Sequence, residues 1–242
     1  MGFKEKILKL NFEYRVIISY LIFGIALLTL IFSKNYTYLI IADIFKIDKN
    51  ITMSVTFLFI GFINLYTWIF RSYAGGYLSG HVAVTKEVQT YKLVTNGPYA
   101  YVRNPLYLSD IISITVIGFA GPPIAILILF LGKITTSYMY VVYEENSLLK
   151  EFGEKYKRYK REVPRFIPKI TPYKSEDNKN VIINWKDGLM YNFYAFGIGI
   201  AFIISAFTLN RNHLYLFGFI APALWFFLRF FDRHLVKIVN RK

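Results

Sequence analysis

Cysteine is absent from this chain of 242 residues, which excludes disulfides, thiol nucleophiles and thiolate metal sites. Histidine is scarce: His81, His213 and His234 stand far apart, with no metal-ligand spacing, so no metal site is expected. Charge is thin as well. Only 18% of the residues are charged, and Asp and Glu number 15 against 29 Lys and Arg. An ordinary soluble domain carries more charge and distributes it more evenly. What is present is apolar and comes in blocks. Val16–Phe32, Ile51–Phe70 and Gly188–Leu209 hold no charge at all, and Leu214–Leu228 is apolar apart from its small residues. Crossing the hydrocarbon takes roughly 20 apolar residues as a helix. The composition, 55% hydrophobic and 19% aromatic, therefore predicts an all-α fold, a polytopic integral membrane helical bundle.

The region from Leu108 to Tyr143 is apolar but interrupted by Gly121-Pro122-Pro123. A Pro-Pro pair preceded by Gly ends helices more readily than it bends them, so two spans joined by a tight turn are expected. Asn104-Pro105 reads as a helix start, with Asn at the N-cap and Pro at the first helical position. A span from Pro105 to Ala120 is roughly 24 Å long at 1.5 Å per residue, short but adequate. No small-x-small cleavage site follows Phe32, so the first run is read as a retained span. This gives about six transmembrane helices in all. The expected organisation is two N-terminal spans over 1–70, a core over 71–170, and an accessory C-terminal hairpin over 188–242.

Basic residues orient the bundle. With the N-terminus inside, 24 of the 29 Lys and Arg fall in the inner segments 1–15, 71–107, 144–187 and 229–242, and 4 in the outer ones. Both termini are thus expected on the cytoplasmic side. The net charge of +14 is read as cytoplasmic-face basicity attracted to anionic membrane lipid, with no nucleic-acid partner.

This orientation puts two unusual segments on one face. The first is GPYAYVRNPLYL, Gly97 to Leu108, directly ahead of the third span. The second, YEENSLLKEFGEKYKRYKREVPRFIP, Tyr143 to Pro168, follows the fourth. In it Leu148, Phe152, Tyr156 and Tyr159 recur at spacings of three and four, opposite Lys155, Lys157, Arg158, Lys160 and Arg161. That pattern predicts an amphipathic cytoplasmic helix lying on lipid headgroups. Glu144 and Glu145 have the wrong sign for an anionic surface and need another partner.

LVTNGPYAYVRNPLYL, followed about forty residues later by EE…L…FG…Y…Y…VPRFIP, resembles the isoprenylcysteine carboxyl methyltransferase family, and more distantly the membrane phospholipid N-methyltransferases. RSYAGGYL, Arg71 to Leu78, resembles the segment preceding this motif in bacterial relatives. Eukaryotic members read Arg-His-Pro where this chain has Arg103-Asn104-Pro105, so the resemblance carries fold and cofactor rather than the eukaryotic substrate. It implies S-adenosyl-L-methionine-dependent methyl transfer to a lipophilic small molecule or lipidated substrate, in a pocket facing the cytoplasm. Catalytic roles fall on Arg103, Glu144 and Glu145. Cofactor contacts are implied for Val94, Gly97, Pro98, Tyr99, Arg103, Asn104, Tyr107, Glu144 and Glu145.

The residue chemistry agrees. Glu144 and Glu145 can accept from the cofactor's ammonium or ribose hydroxyls, and Arg103 can pair with a carboxylate. Gly97 permits close backbone approach, Pro98 and Pro105 stiffen the loop, and Tyr99 and Tyr107 offer faces to adenine or sulfonium. A carboxylate acceptor, giving a methyl ester, is the leading expectation. N-methylation of a phospholipid is the alternative, followed by a nicotinamide-dependent membrane reductase and a transporter or scaffold without chemistry. Asp110 and Lys133 lie inside apolar segments, where an ionisable side chain signals function by default. Gly197 and Gly199, with Pro222 in the last span, suggest close helix packing or a kink.

Overall fold

The computed structural model describes residues 2–78, 93–174 and 183–214. His81, and the sixth expected span beyond Leu214, lie outside the described residues. Within them the fold is all-α. Eight helices run α1 Phe3–Glu13, α2 Arg15–Phe32, α3 Thr37–Phe45, α4 Lys49–Leu78, α5 Pro105–Ile117, α6 Pro123–Glu162, α7 Trp185–Tyr191 and α8 Phe193–Thr208. Short 3-10 turns cover Gly97–Ala100 and Gly118–Ala120. α2, α4 and α6 are long and apolar enough to cross a membrane, whereas Pro105–Ala120 and α8 are apolar but shorter. The protein is an integral membrane helical bundle.

The expected hairpin is present. α5 gives way to the 3-10 turn at Gly118 and α6 begins at Pro123. The turn is capped from outside: the Gly121 carbonyl accepts from the Thr37 amide at 2.8 Å and from its hydroxyl at 2.7 Å. That donor belongs to α3, a short helix in the connection between α2 and α4.

α4 and α8 pack closely against one another. A methyl on Gly199 would stand 3.0 Å from the Gly61 carbonyl oxygen, so the backbones meet where side chains are missing. Phe57 and Phe202 close this contact edge to face at 5.4 Å. Inside the bundle, Ser113 on α5 donates to Asn64 on α4 at 2.6 Å, a polar fastening between helices.

Two boundaries differ from expectation. The expected span Gly188–Leu209 is broken at Asn192, which ends α7 and precedes α8. The expected amphipathic helix is not separate: the fourth span continues through it as α6, interrupted by Gly153 at φ 50° and ψ −124°, backbone values that suit only glycine. This kink turns the tail of α6 back onto the protein. Tyr156, Tyr159 and Val163 are buried against Leu93, Leu148, Phe152 and Tyr173. The aromatic stripe is therefore covered by protein rather than lying on lipid headgroups, while Lys155, Lys157, Arg158, Lys160 and Arg161 remain exposed.

Candidate functional site

The loop before α5 is held by the segment after α6. The amides of Arg103, Lys169 and Tyr173 donate to the carbonyls of Pro164, Tyr101 and Ala100 at 2.9, 3.0 and 2.9 Å. The Tyr159 hydroxyl donates to the Tyr99 carbonyl at 2.7 Å. Two stretches some sixty residues apart in sequence are thereby stitched into one wall.

Gly97 sits in the left-handed region at φ 56°, and a β-carbon there would collide with the Tyr77 ring. The tight approach that the glycine was expected to allow is thus made to a side chain of α4. Val94 and Tyr99 are buried with Ala74 against Leu106 and Tyr77. Pro98 is buried beside them. The Tyr99 hydroxyl is buried without a hydrogen-bond partner. Asn104 occupies the N-cap position and Pro105 the first turn, as expected, yet the Asn104 side chain caps nothing. Its amide donates instead to the Arg165 carbonyl at 3.2 Å, tying the helix start to the VPRFIP segment.

The two adjacent glutamates have different partners, because neighbouring helix positions point about 100° apart. Glu145 is 3% exposed and meets three cations: Arg103 Nη2 at 3.0 Å, Arg165 Nη2 at 2.7 Å and Lys160 Nζ at 3.5 Å. Arg103 Nη1 donates further to the Lys160 and Val163 carbonyls, both at 2.6 Å. Arg165 also stacks over Tyr138, 4.8 Å from the ring centroid. Its bond to Glu145 raises the guanidinium pKa further above its ordinary value, since the carboxylate favours the charged form. Among the described residues Glu144 has one hydrogen bond, accepted from the Tyr107 hydroxyl at 2.8 Å, and the Tyr107 ring lies 6.0 Å from that of Tyr140.

Beside the loop opens a cleft of about 700 Å³, lined by Phe70, Tyr73, Asn96, Gly97, Pro98, Tyr101 and Tyr173, with Lys174 at its edge. The expected site residues thus fall into two adjoining groups. Gly97 and Pro98 face the cleft, whereas Arg103 and Glu145 form an ion-paired knot with Arg165, to whose carbonyl Asn104 is tied, and Tyr107 pairs with Glu144 beside it. Arg165 was not singled out from the sequence, and Lys160 was read only as part of the basic face of the amphipathic helix. The signal for Arg165 was its place in VPRFIP, the segment whose match carries the resemblance.

In the structure the loop and the start of α5 are locked to the Glu144-Glu145 pair of α6 within an apolar bundle, and the comparisons with known proteins find that the chain is similar to membrane methyltransferases over part of its length. The family model described as phospholipid methyltransferase matches residues 50–155. The chain is 36% identical over 87 residues to a methanethiol S-methyltransferase of Crocosphaera subtropica, covering 35% of this chain and 32% of that protein. It is 34% identical over 98 residues to the protein-S-isoprenylcysteine O-methyltransferase of Schizosaccharomyces pombe, covering 37% and 39%. It is 25% identical over 134 residues to a nickel-cobalt-cadmium resistance protein of Alcaligenes xylosoxydans xylosoxydans, covering 53% and 60%. These matches span less than two thirds of each relative's length. No solved structure matches the chain. The resemblance read from the motifs is therefore supported at the level of the membrane methyltransferases.

Proposed function

We propose that this protein uses S-adenosyl-L-methionine to methylate a lipophilic acceptor at a carboxylate, forming a methyl ester. The observation that carries the reading is the joining of GPYAYVRNPLYL to the Glu144-Glu145 pair of α6, inside the stretch that matches the family model. The residues fit the cofactor. Tyr73, Tyr101 and Tyr173 line a cleft large enough for an adenosyl group, and the Tyr99 hydroxyl, on the same loop, is buried without a partner. Glu144, with one hydrogen bond made, retains acceptor capacity for an ammonium or ribose hydroxyls. Lys174 is placed for a carboxylate. When bound, the cofactor supplies an electrophilic methyl group.

The chain's own residues then orient and enclose. Arg103 acts in this reading as a positioning residue, because its donors hold Glu145 and the α6 tail. Glu145 locks the wall, and Tyr107 fixes the direction of Glu144. A carboxylate acceptor has a pKa of about 4 and is already nucleophilic at neutral pH, so the site needs no general base. It needs alignment and exclusion of water, which the apolar helices provide.

Binding to detergent-purified protein should distinguish the cofactor: S-adenosyl-L-methionine and S-adenosylhomocysteine bind, NADPH does not, and Glu144→Gln weakens the first two roughly tenfold. NADPH binding alone would favour the reductase reading. Methyl-tritiated cofactor should then yield a lipid product that releases volatile methanol in mild alkali. Two relatives are named methanethiol S-methyltransferases, which favours a thiol acceptor as the second reading. Alkali-stable label would point to S- or N-methylation.

We also propose that the termini and the segments 71–107 and 144–187 face the cytoplasm. Because the chain has no cysteine, single cysteines are clean probes. Asn96→Cys and Lys174→Cys should label from the same, cytoplasmic side. Labelling of either from the outside would overturn the orientation.

A further inference from the structure

Below the ion-paired knot, α6 carries Lys133, Ser137, Tyr140 and Glu144 at spacings of four, three and four, which is one face of a helix. α5 answers with Tyr107, hydrogen-bonded to Glu144, and Asp110, 3.9 Å from Lys133 Nζ. A polar seam thus runs some 16 Å along α6, eleven residues at 1.5 Å each, into an otherwise apolar bundle.

The deep end of this seam is unbalanced. Arg71 on α4 and Lys133 both turn to Asp110, so two cations share one carboxylate. Arg71 is well satisfied: it reaches Asp110 at 2.7 Å, the Asn192 side chain at 2.7 Å and the Leu106 carbonyl at 2.7 Å. The Tyr194 hydroxyl also donates to Asp110, at 3.1 Å, leaving that carboxylate crowded. Lys133 is not satisfied. Its side chain is 6% exposed, and its contacts are Asp110 at 3.9 Å and the Ser19 hydroxyl at 3.4 Å, both long for an ammonium. On the same face the hydroxyls of Ser137 and Tyr140 are buried without partners. Thr136, adjacent to Tyr140 on the next turn, gives its own hydroxyl to the Gly132 and Lys133 carbonyls. A network serving packing alone would be matched in charge and filled in hydrogen bonds, because each unfilled group is costly in a low-dielectric interior.

At this end of the seam one excess positive charge among Arg71, Lys133 and Asp110, a loosely held ammonium and, on the Lys133 face of α6, two idle hydroxyls describe the complement of a monoanionic oxygen group. We propose that this seam binds the acidic end of the methyl acceptor, a carboxylate on an apolar body, with Lys133 as its charge partner and Ser137 and Tyr140 as donors. Calling the occupant the acceptor rests on the methyltransferase reading; the anion site itself does not. The site selects for anionic acceptors and against amines, whose cation would face Lys133 and Arg71.

The test is equilibrium binding of a spin-labelled stearate to the protein in zwitterionic phosphatidylcholine nanodiscs, with its methyl ester as the uncharged control and labelled phosphatidylglycerol as the phosphodiester control. Wild-type protein should hold the carboxylate at least about tenfold more tightly than the ester. Lys133→Met should bring that ratio close to one, and Lys133→Arg should keep it. Tyr140→Phe, which preserves packing, should lower it several-fold and provides the reading should Lys133→Met fail to fold. S-adenosyl-L-methionine affinity, measured in the same discs, should be unchanged in all three. An unchanged ratio in Lys133→Met or in Tyr140→Phe overturns the proposal, as does preference for phosphatidylglycerol over stearate. Selective stearate binding without any cofactor binding would instead keep the anion site and overturn the methyltransferase reading.

Discussion

Glu145→Gln is expected to be the most damaging single-atom-scale change at the site, lowering stability by about 3–5 kcal/mol, the cost of leaving buried charges uncompensated. Glu145 is the common counter-ion of Arg103 and Arg165, whose side chains are 8% and 24% exposed. Lys160, at 41%, stays in solvent and adds little. From the sequence, loss of this glutamate should weaken cofactor binding and nothing else. Its burial adds a structural consequence: without it the α6 tail loses its grip on the loop before α5. Thermal unfolding in detergent should fall, and limited trypsin digestion should cut faster within Lys155–Arg161. Lys157→Ala is the control, since among the described residues Lys157 pairs only with exposed Glu154. A Glu145→Gln variant that melts and digests like wild type would show that the knot contributes nothing to stability.

Gly188→Ala should be comparably severe, by a different route. A β-carbon at Gly188 would run into the Ser72 carbonyl oxygen of α4, with the Gly76 amide at 3.1 Å behind it. The obstacle is backbone on both counts, so no rotamer relieves it, and α7 must lift away at a cost of about 3 kcal/mol, the upper end for overpacking. Asn192 would move with it, and Asn192 holds Arg71 Nε at 2.7 Å. The expected result is a lower unfolding temperature together with a disturbed Arg71–Asp110 pair. Gly24→Ala, where an added carbon meets nothing within 4 Å, is the matched control. Equal stability of the two variants would show that α7 does not dock as described.

What the sequence made legible is local. Gly121-Pro122-Pro123 ends one helix and starts the next through backbone chemistry alone, and the uncharged runs of α2 and α4 declare themselves. Gly199 read correctly as a close-packing position. The break at Asn192 was not legible, because it depends on Arg71, 121 residues away, accepting that side chain as a partner. The aromatic stripe of α6 was legible as a stripe, but not what would cover it. Periodicity says which side is apolar and nothing about whether lipid or protein lies opposite. The different surroundings of Glu144 and Glu145 were hidden for a similar reason: both flank the same boundary, and only the tertiary position of Arg165 decides which turns inward.

The reach of Arg103 bears on how the protein is made. Its side chain is fastened to carbonyls 57 and 60 positions later in the chain. At roughly 5–20 residues per second of translation, the loop emerges some 3–12 s before the residues that hold it. Between them lies the whole α5–α6 hairpin, whose insertion must finish first. The nascent wall therefore waits open at the bilayer surface while its counterpart is still being synthesised, and delayed insertion of 123–143 would prolong that vulnerable interval.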